Sequence, residues 1–277
     1  MKPRILSSSL RRTAVLAAVL SLFCRPSGAG AGEVRIGGTG NALGTMRLLA
    51  EAYVRQQPGT KPVVLDSIGT SGALKAMPKG AIEIGLSSRA LTEAEVQSGM
   101  TAVEYARSPT VFAVQEKNPA SAITVQQVAD IYAGRLMRWP DGTQIRPILR
   151  QPGDDNTVQI KRLSPAIEKA LAAAEQRPGL AFASNDQEAA DKMESIPGSI
   201  GVTTLALIRS ERRKLRPLAL DGVEPTPENA RSGRYPMVKR FFFVLPKQPT
   251  AETAAFIRFV QSPEGSRILE QTGHTQP

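Results

Sequence analysis

The stretch that decides the fold is "EVRIGGTGNALGTMRLLAEAYVRQQ", residues 33–57. "EVRIGG" reads as a strand ending in two glycines. The loop "GGTGNALGT", residues 37–45, follows, and from Thr45 a helix is read in which Met46, Leu49 and Tyr53 recur at helical spacing until Pro58-Gly59 stops it. A strand feeding a helix through a Gly-rich turn leaves the helix's first N–H groups without partners. Such a tip attracts anions.

Two other loops have the same composition. "SIGTSGALK", residues 67–75, follows the strand "KPVVLDS", and "ILRQPGDDNT", residues 148–157, follows "IRPILR". "GLSSRAL", residues 85–91, adds Ser87, Ser88 and Arg89 after "AIEIGLS". Gly, Ser, Thr, Asn and Asp are also ordinary turn and cap residues, so one such loop alone says little. Three of them, spaced through an alternating pattern, point to a cleft lined by backbone N–H groups and neutral side chains.

The rest of the chain keeps the alternation. "TVFAVQ", "SIGVTT", "LRPLAL" and "KRFFFVLP" read as strands. Thr92 with Glu95 and Thr124 with Gln127 form capping boxes, and Gly134 closes the second of these helices. Ser164-Pro165, Ser184 with Gln187, Thr250 and Ser262-Pro263 mark further helix starts. This order predicts an α/β protein with substantial parallel pairing. Residues 221–236, "DGVEPTPENARSGRYP", read as a surface loop or connector.

The first residues have the form of a secretory signal. Lys2, Arg4, Arg11 and Arg12 precede the apolar run "TAVLAAVLSLF", which is too short to span a bilayer, and Ala29-Gly30-Ala31 fits a cleavage site. Leu22 and Phe23 stand before Cys24 where lipidation would want small residues. The leader carries five bases (Lys2, Arg4, Arg11, Arg12, Arg25) and no acid, so its removal takes the net charge from +10 to +5. That balance suits an anionic ligand and gives no support for nucleic acid. Cys24 is the one cysteine, so the remainder needs neither disulfides nor thiolate metal sites. What is left, about 245 residues, exceeds a typical single core and favours two lobes.

Several enzyme readings fail on chemistry. The one histidine, His274, stands three residues from the end, where a frayed tail is expected, and no G-x-S-x-G elbow occurs. No cysteine–histidine metal spacing exists and no cofactor is implied. Gly38, Gly40 and Gly44 miss the dinucleotide spacing. "RSERRKLRP", residues 209–217, is the densest basic run and reads as a solvated face without interleaved aromatics.

Taken together, "IGGTGNALGTMRLLAEAY", "SIGTSGALKAMPKGAIEIGLSSRAL", "ITVQQVADIYAGRLMRW", "IPGSIGVTTLALI" and "SPEGSRILEQTG" resemble, in order, segments of the phosphate-binding proteins of bacterial ABC transporters. The resemblance spans nearly the whole chain after the leader. It implies an α/β, two-lobed periplasmic binding protein fold (type II-like), with mixed, mostly parallel sheets, a hinge and an inter-lobe cleft. The expected division is residues 1–31 as signal peptide, 33–108 plus 237–277 as lobe 1, and 109–236 as lobe 2. The expected protein is a periplasmic monomer that captures an inorganic oxyanion, phosphate first, and presents it to an ABC transporter permease or a membrane receptor without catalysis. A sensory or accessory protein of the same fold, with another anion or no tight ligand, is the alternative.

The resemblance also maps site residues. The first-loop contacts fall on Ala42 and Leu43, with Thr39 and Asn41 close by, and the second-loop serine is Ser71, beside Thr70. The family's Asp after the third strand is Ser88 here. The family's R-x-D-G-S-G-T becomes "RQPGDDNT": Arg150 is kept, while Asp154, Asp155, Asn156 and Thr157 fill the turn. Monohydrogen phosphate, whose second pKa is about 6, offers a proton that needs an acceptor. With position 88 changed, one of Asp154 and Asp155 can accept it while the other caps the helix. Alternatively both cap or point outward, and the site takes another anion.

Overall fold

The computed structural model describes residues 32–277. The leader and Cys24 lie outside the described residues.

The strands are β1 (Gly32–Gly38), β2 (Thr60–Val64), β3 (Ile84–Ser87), β4 (Met100–Gln115), β5 (Ala122–Ile123), β6 (Arg146–Leu149), β7 (Ala181–Phe182), β8 (Ser199–Thr204), β9 (Leu215–Pro217), β10 (Ala219–Leu220) and β11 (Val238–Pro246). The helices are α1 (Gly40–Gln56), α2 (Gly69–Ala76), α3 (Glu93–Gln97), α4 (Val125–Ala133), α5 (Asp155–Lys161), α6 (Pro165–Glu175), α7 (Asp186–Ser195), α8 (Leu205–Ser210), α9 (Pro227–Arg231), α10 (Ala251–Val260) and α11 (Pro263–Gln271). No helix among the described residues is long and apolar enough to cross a membrane.

The main sheet runs β2-β1-β3-β11-β4-β8-β6-β7, with β9 also paired to β4. β1 lies parallel to β2 and β3, and β6 lies parallel to β7 and β8. Antiparallel pairing is confined to β4 and β11. Those two strands organise the molecule. The first part of β4, Met100 to Pro109, pairs with β11, and its next residues, Thr110 to Val114, pair with β8. One continuous strand therefore serves two cores. One core gathers Ile36, Leu43, Leu49, Phe241, Phe243 and Phe256, and the other gathers Phe112, Val128, Ile148, Ile167, Leu207 and Trp139. Parallel strands buried on both faces need apolar runs, and "SIGVTT" on β8 is buried at all six positions.

The capping boxes at Thr92–Glu95 and Thr124–Gln127 form as read, and Gly134 takes the left-handed φ of 74° that ends α4. Gly38 is also required. Its φ is +155°, and a Cβ there would stand 2.0 Å from Leu86 O.

Several local readings need correction. α1 begins at Gly40 rather than near Thr45, because the chain enters the helix directly from the glycine turn. The α7 cap is Asn185, which accepts from the Glu188 N–H, one position on from the Ser184–Gln187 pair. "LRPLAL" splits into β9 and β10 around Leu218. The 221–236 stretch holds α9, started by Thr226 and Pro227, and its Tyr235 is buried.

His274 is not in a frayed tail. It is 1% exposed, its ring meets Phe241 edge-on at 5.3 Å, and Nδ1 lies 3.1 Å from Thr272 Oγ1. The next residue, Thr275, bridges to Arg107 and fastens the segment to β4. Burial lowers the His274 pKa to about 4, since charging the ring would strip it of water.

Candidate functional site

Four helix tips face a cavity of about 600 Å³, and they differ in how their first N–H groups are satisfied. At α5, Asp154 caps its own helix by accepting from the Asn156 N–H at 3.0 Å. At α7, Asn185 does the same. α1 and α2 have no side-chain cap and no acid in the first turn. A tip left bare in this way needs a partner from elsewhere.

The α1 tip has one. Asp186 reaches it from the start of α7: its Oδ2 accepts the Asn41 N–H at 3.1 Å and lies 3.5 Å from the Thr39 hydroxyl. Its Oδ1 accepts from Asn156 Nδ2 at 3.3 Å and stands 3.4 Å from Arg150 Nη2. Gln187, the next residue, donates to Gly40 O at 2.9 Å. Gly40 allows this approach, for a Cβ there would collide with Gln187 Oε1 at 2.3 Å. Asp186 is thus an internal anion at the α1 tip, accepting from Asn41, Thr39 and Asn156 and paired with Arg150.

The α2 tip has none. Gly69, Thr70 and Ser71 line the cavity, and Gly69 takes a left-handed φ of +66° with open space where a Cβ would be. The Thr70 hydroxyl accepts from the Ser88 N–H at 3.0 Å and lies 3.2 Å from Ser88 Oγ, which fastens the end of β3 beside this tip.

Arg150 leaves β6 into the same cavity and is 9% exposed. Its Nη2 contacts Asp154 Oδ2 at 2.5 Å. Its Nε and Nη1 are buried with no hydrogen-bond partner. A guanidinium edge in that state is incomplete, because a buried charged donor without an acceptor costs more than an ordinary missing bond. Lys239 on β11 is 1% exposed, and its ammonium pairs with Asp155 Oδ2. Lys239 sits opposite Ser108 in the β11–β4 register, where β4 passes from one core to the other. Asp155 also accepts from Gln159 at 2.8 Å through Oδ2, and its Oδ1 has no partner among the described residues.

The cavity wall therefore carries three cations, Arg89, Arg150 and Lys239, and three carboxylates, Asp154, Asp155 and Asp186. Arg89 is also held by Glu95 at 2.7 and 2.8 Å. That bond is the main reason the Glu95 pKa falls to about 2.

Of the residues singled out from the sequence, Thr39, Asn41, Thr70, Ser71, Ser88, Arg150, Asp154 and Asp155 line the cavity together. Ala42 and Leu43 turn their side chains into the core beneath α1, and Asn156 and Thr157 are buried behind the wall. Asp186 and Lys239 were not foreseen. Asp186 looked like one more first-turn acid of a helix, and Lys239 one base among many. The signal available for Lys239 was its place in "MVKRFFFVL", a cation inside a strand otherwise built for burial.

A two-core α/β chain whose connecting strands flank a polar cleft has the architecture of a solute-binding protein. The PBP superfamily domain profile matches residues 25–264, and the chain belongs to that superfamily. It is 26% identical over 251 residues to the phosphate-binding protein PstS of Borreliella burgdorferi, covering 87% of this chain and 88% of that one. Its structure is similar to that of a Clostridium perfringens protein described as a phosphate ABC transporter substrate-binding protein and solved with phosphate bound (24% identity, TM-score 0.75, covering 89% of this chain and 100% of the other). The periplasmic molybdate-binding protein of Azotobacter vinelandii shares the fold at 17% identity and a TM-score of 0.63, over 88% and 99% of the two chains.

Proposed function

We propose that this protein is an extracytoplasmic solute-binding protein that holds an inorganic oxyanion, phosphate first, in the cavity between its two cores and hands it to an ABC transporter. The two cores act as lobes, 33–108 with 237–277 and 109–236, and the β4 and β11 crossings act as the hinge. The observation that carries this reading is Arg150: a buried guanidinium with two unpartnered nitrogens beside the uncapped α2 tip. The phosphate-binding relatives add to it. The leader supports export, and the chemistry required is binding alone, with no bond made or broken.

A proton acceptor favours a protonated oxyanion. Monohydrogen phosphate and sulfate are both dianions, so a wall of three cations and three carboxylates does not separate them by charge, and the proton does. Monohydrogen phosphate can place its proton on the free Asp155 Oδ1 and offer its other oxygens to Arg150, the Thr70 and Ser71 hydroxyls and the α2 N–H groups. Asp154, already engaged as helix cap, leaves that role to Asp155.

Isothermal titration calorimetry with phosphate and sulfate tests the reading. Trp139 is packed into the 111–237 core with its indole N–H on Gly198 O, so heat is a better readout than fluorescence. Phosphate is expected to bind at micromolar concentration or below, with sulfate weaker. No heat from either anion at millimolar concentration would favour the alternative, a module whose anion seat is filled by its own Asp186.

A further inference from the structure

The Asp155 carboxylate is held by one oxygen only. Its Oδ2 accepts from the Lys239 ammonium and from Gln159 Nε2 at 2.8 Å, while its Oδ1 has no donor among the described residues. A carboxylate oxygen has about two lone-pair sites, so Oδ2 is filled and Oδ1 is open. Asp155 lines the main cavity, and the open oxygen belongs to that wall.

An aspartate in the first turn of a helix is drawn toward the helix's own N–H groups. Asp155 stands in the first turn of α5, and two donors hold it elsewhere. Lys239 is 1% exposed, so its stem is enclosed and its ammonium cannot swing out to solvent. It also comes from the other core: β11 packs Phe241 and Phe243 into one, and α5 packs Ile160 into the other. Gln159, one turn after Asp155, points its NH2 at the carboxylate and leaves its own Oε1 buried without a donor. Flipping that amide would set acceptor against acceptor. A buried acceptor without a donor is destabilising, and the fold tolerates one here to keep a second donor on Oδ2. Arg89, the other cation nearby, has its fork on Glu95 at 2.7 and 2.8 Å and does not take Oδ1.

We propose that Lys239 and Gln159 determine the selectivity of this protein for a protonated oxyanion: by filling Oδ2 they fix Asp155 with Oδ1 presented to the cavity, where it accepts the proton that monohydrogen phosphate has and sulfate lacks. The proposal rests on the oxyanion reading of the cavity. Both are positioning residues that act through Asp155. Lys239 has a second, separable effect, because its charge attracts any dianion. Loss of that charge weakens phosphate and sulfate alike and cancels in the ratio of their affinities, whereas loss of position lowers the ratio.

The experiment is calorimetry with inorganic phosphate and with sulfate at about pH 8, where both are dianions. It compares wild type, Gln159→Leu, Lys239→Met, Asp155→Asn and the Lys239→Met/Asp155→Asn double variant. Gln159→Leu and Lys239→Met should each lower the phosphate-to-sulfate affinity ratio by about threefold or more, and Lys239→Met should weaken both anions as well. Once Asp155 is changed to Asn, Lys239→Met should have no further effect on the ratio. Gln159 is partly exposed, so its variant keeps the test open should the buried Lys239 position not tolerate Met. A ratio that neither single substitution moves, or one that Lys239→Met lowers equally with and without Asp155, would overturn the proposal and leave the oxyanion reading standing. Wild type that binds neither anion at millimolar concentration would end both.

Discussion

The carboxylate of Asp186 accepts the backbone N–H of Asn41 at 3.1 Å, so a residue that opens α7, on one core, fills the bare tip of α1, on the other. The Asn41 side chain adds a second tie, for the Thr204 hydroxyl donates to its Oδ1 at 3.0 Å. The first glycine loop is thus bound by the protein's own anion, and the α2 loop is left to face the cavity.

Asp186→Asn keeps the shape and removes the charge. A carboxylate at a partly buried helix tip contributes about 0.3–2 kcal/mol, so thermal unfolding should move down by that order. The same change leaves the wall one positive charge in excess. Sulfate and monohydrogen phosphate, both dianions, should therefore each gain about tenfold in affinity by calorimetry. An unaltered sulfate affinity would mean that Asp186 is electrically remote from the seat.

Arg150→Lys retains the charge and loses the fork. Lysine offers a point charge where Nε and Nη1 now stand as paired donors. Phosphate affinity should fall about 10- to 100-fold, equivalent to roughly 1.4–2.8 kcal/mol. A dissociation constant within twofold of wild type would take Arg150 out of the seat.

Asp154 and Asp155 should separate in their effects. Asp154→Ala removes a cap and one partner of the buried Arg150, so it should cost more than the ~1 kcal/mol of a cap alone, with little change in the phosphate-to-sulfate affinity ratio. Asp155→Asn removes the proton acceptor and should lower that ratio about tenfold, a measure that does not depend on the fraction folded. Asp155→Asn should also destabilise more than Lys239→Met. The Lys239 side chain, 1% exposed, is left as a buried charge without its partner, whereas the Asp155 side chain, 29% exposed, can recover water. Urea unfolding of the two single variants and the double variant measures this, and the double should cost less than the sum of the singles.

His274 predicts acid sensitivity. Its folded pKa of about 4 lies below the ordinary 6.5, so the unfolded chain binds the proton more readily. The stability it confers is complete above the unfolded value and is lost as pH falls from about 6.5 to about 4, by about 3 kcal/mol in all. Unfolding midpoints across that range should slope accordingly for wild type and lose that component in His274→Phe. Equal slopes in the two proteins would place the ring in contact with water.

Local rules act over a few residues, and that is the part of this molecule the sequence by itself determined. Apolar runs and glycine turns placed the strands, the capping boxes at Thr92 and Thr124 placed their helices, and the βα loops together with the stretch after the third strand picked out Thr70, Ser71, Ser88 and Arg150 as candidates to share one cavity. Tertiary structure decided what no window of sequence contains. Asp186 reaches Asn41 across 145 positions, and Lys239 reaches Asp155 across 84. The same packing buried His274, which a reading from its distance to the chain end had left in water. Burial and long-range charge pairing follow from which elements come together, and that depends on the sum of many weak apolar contacts, while caps and turns depend on neighbours three or four residues away.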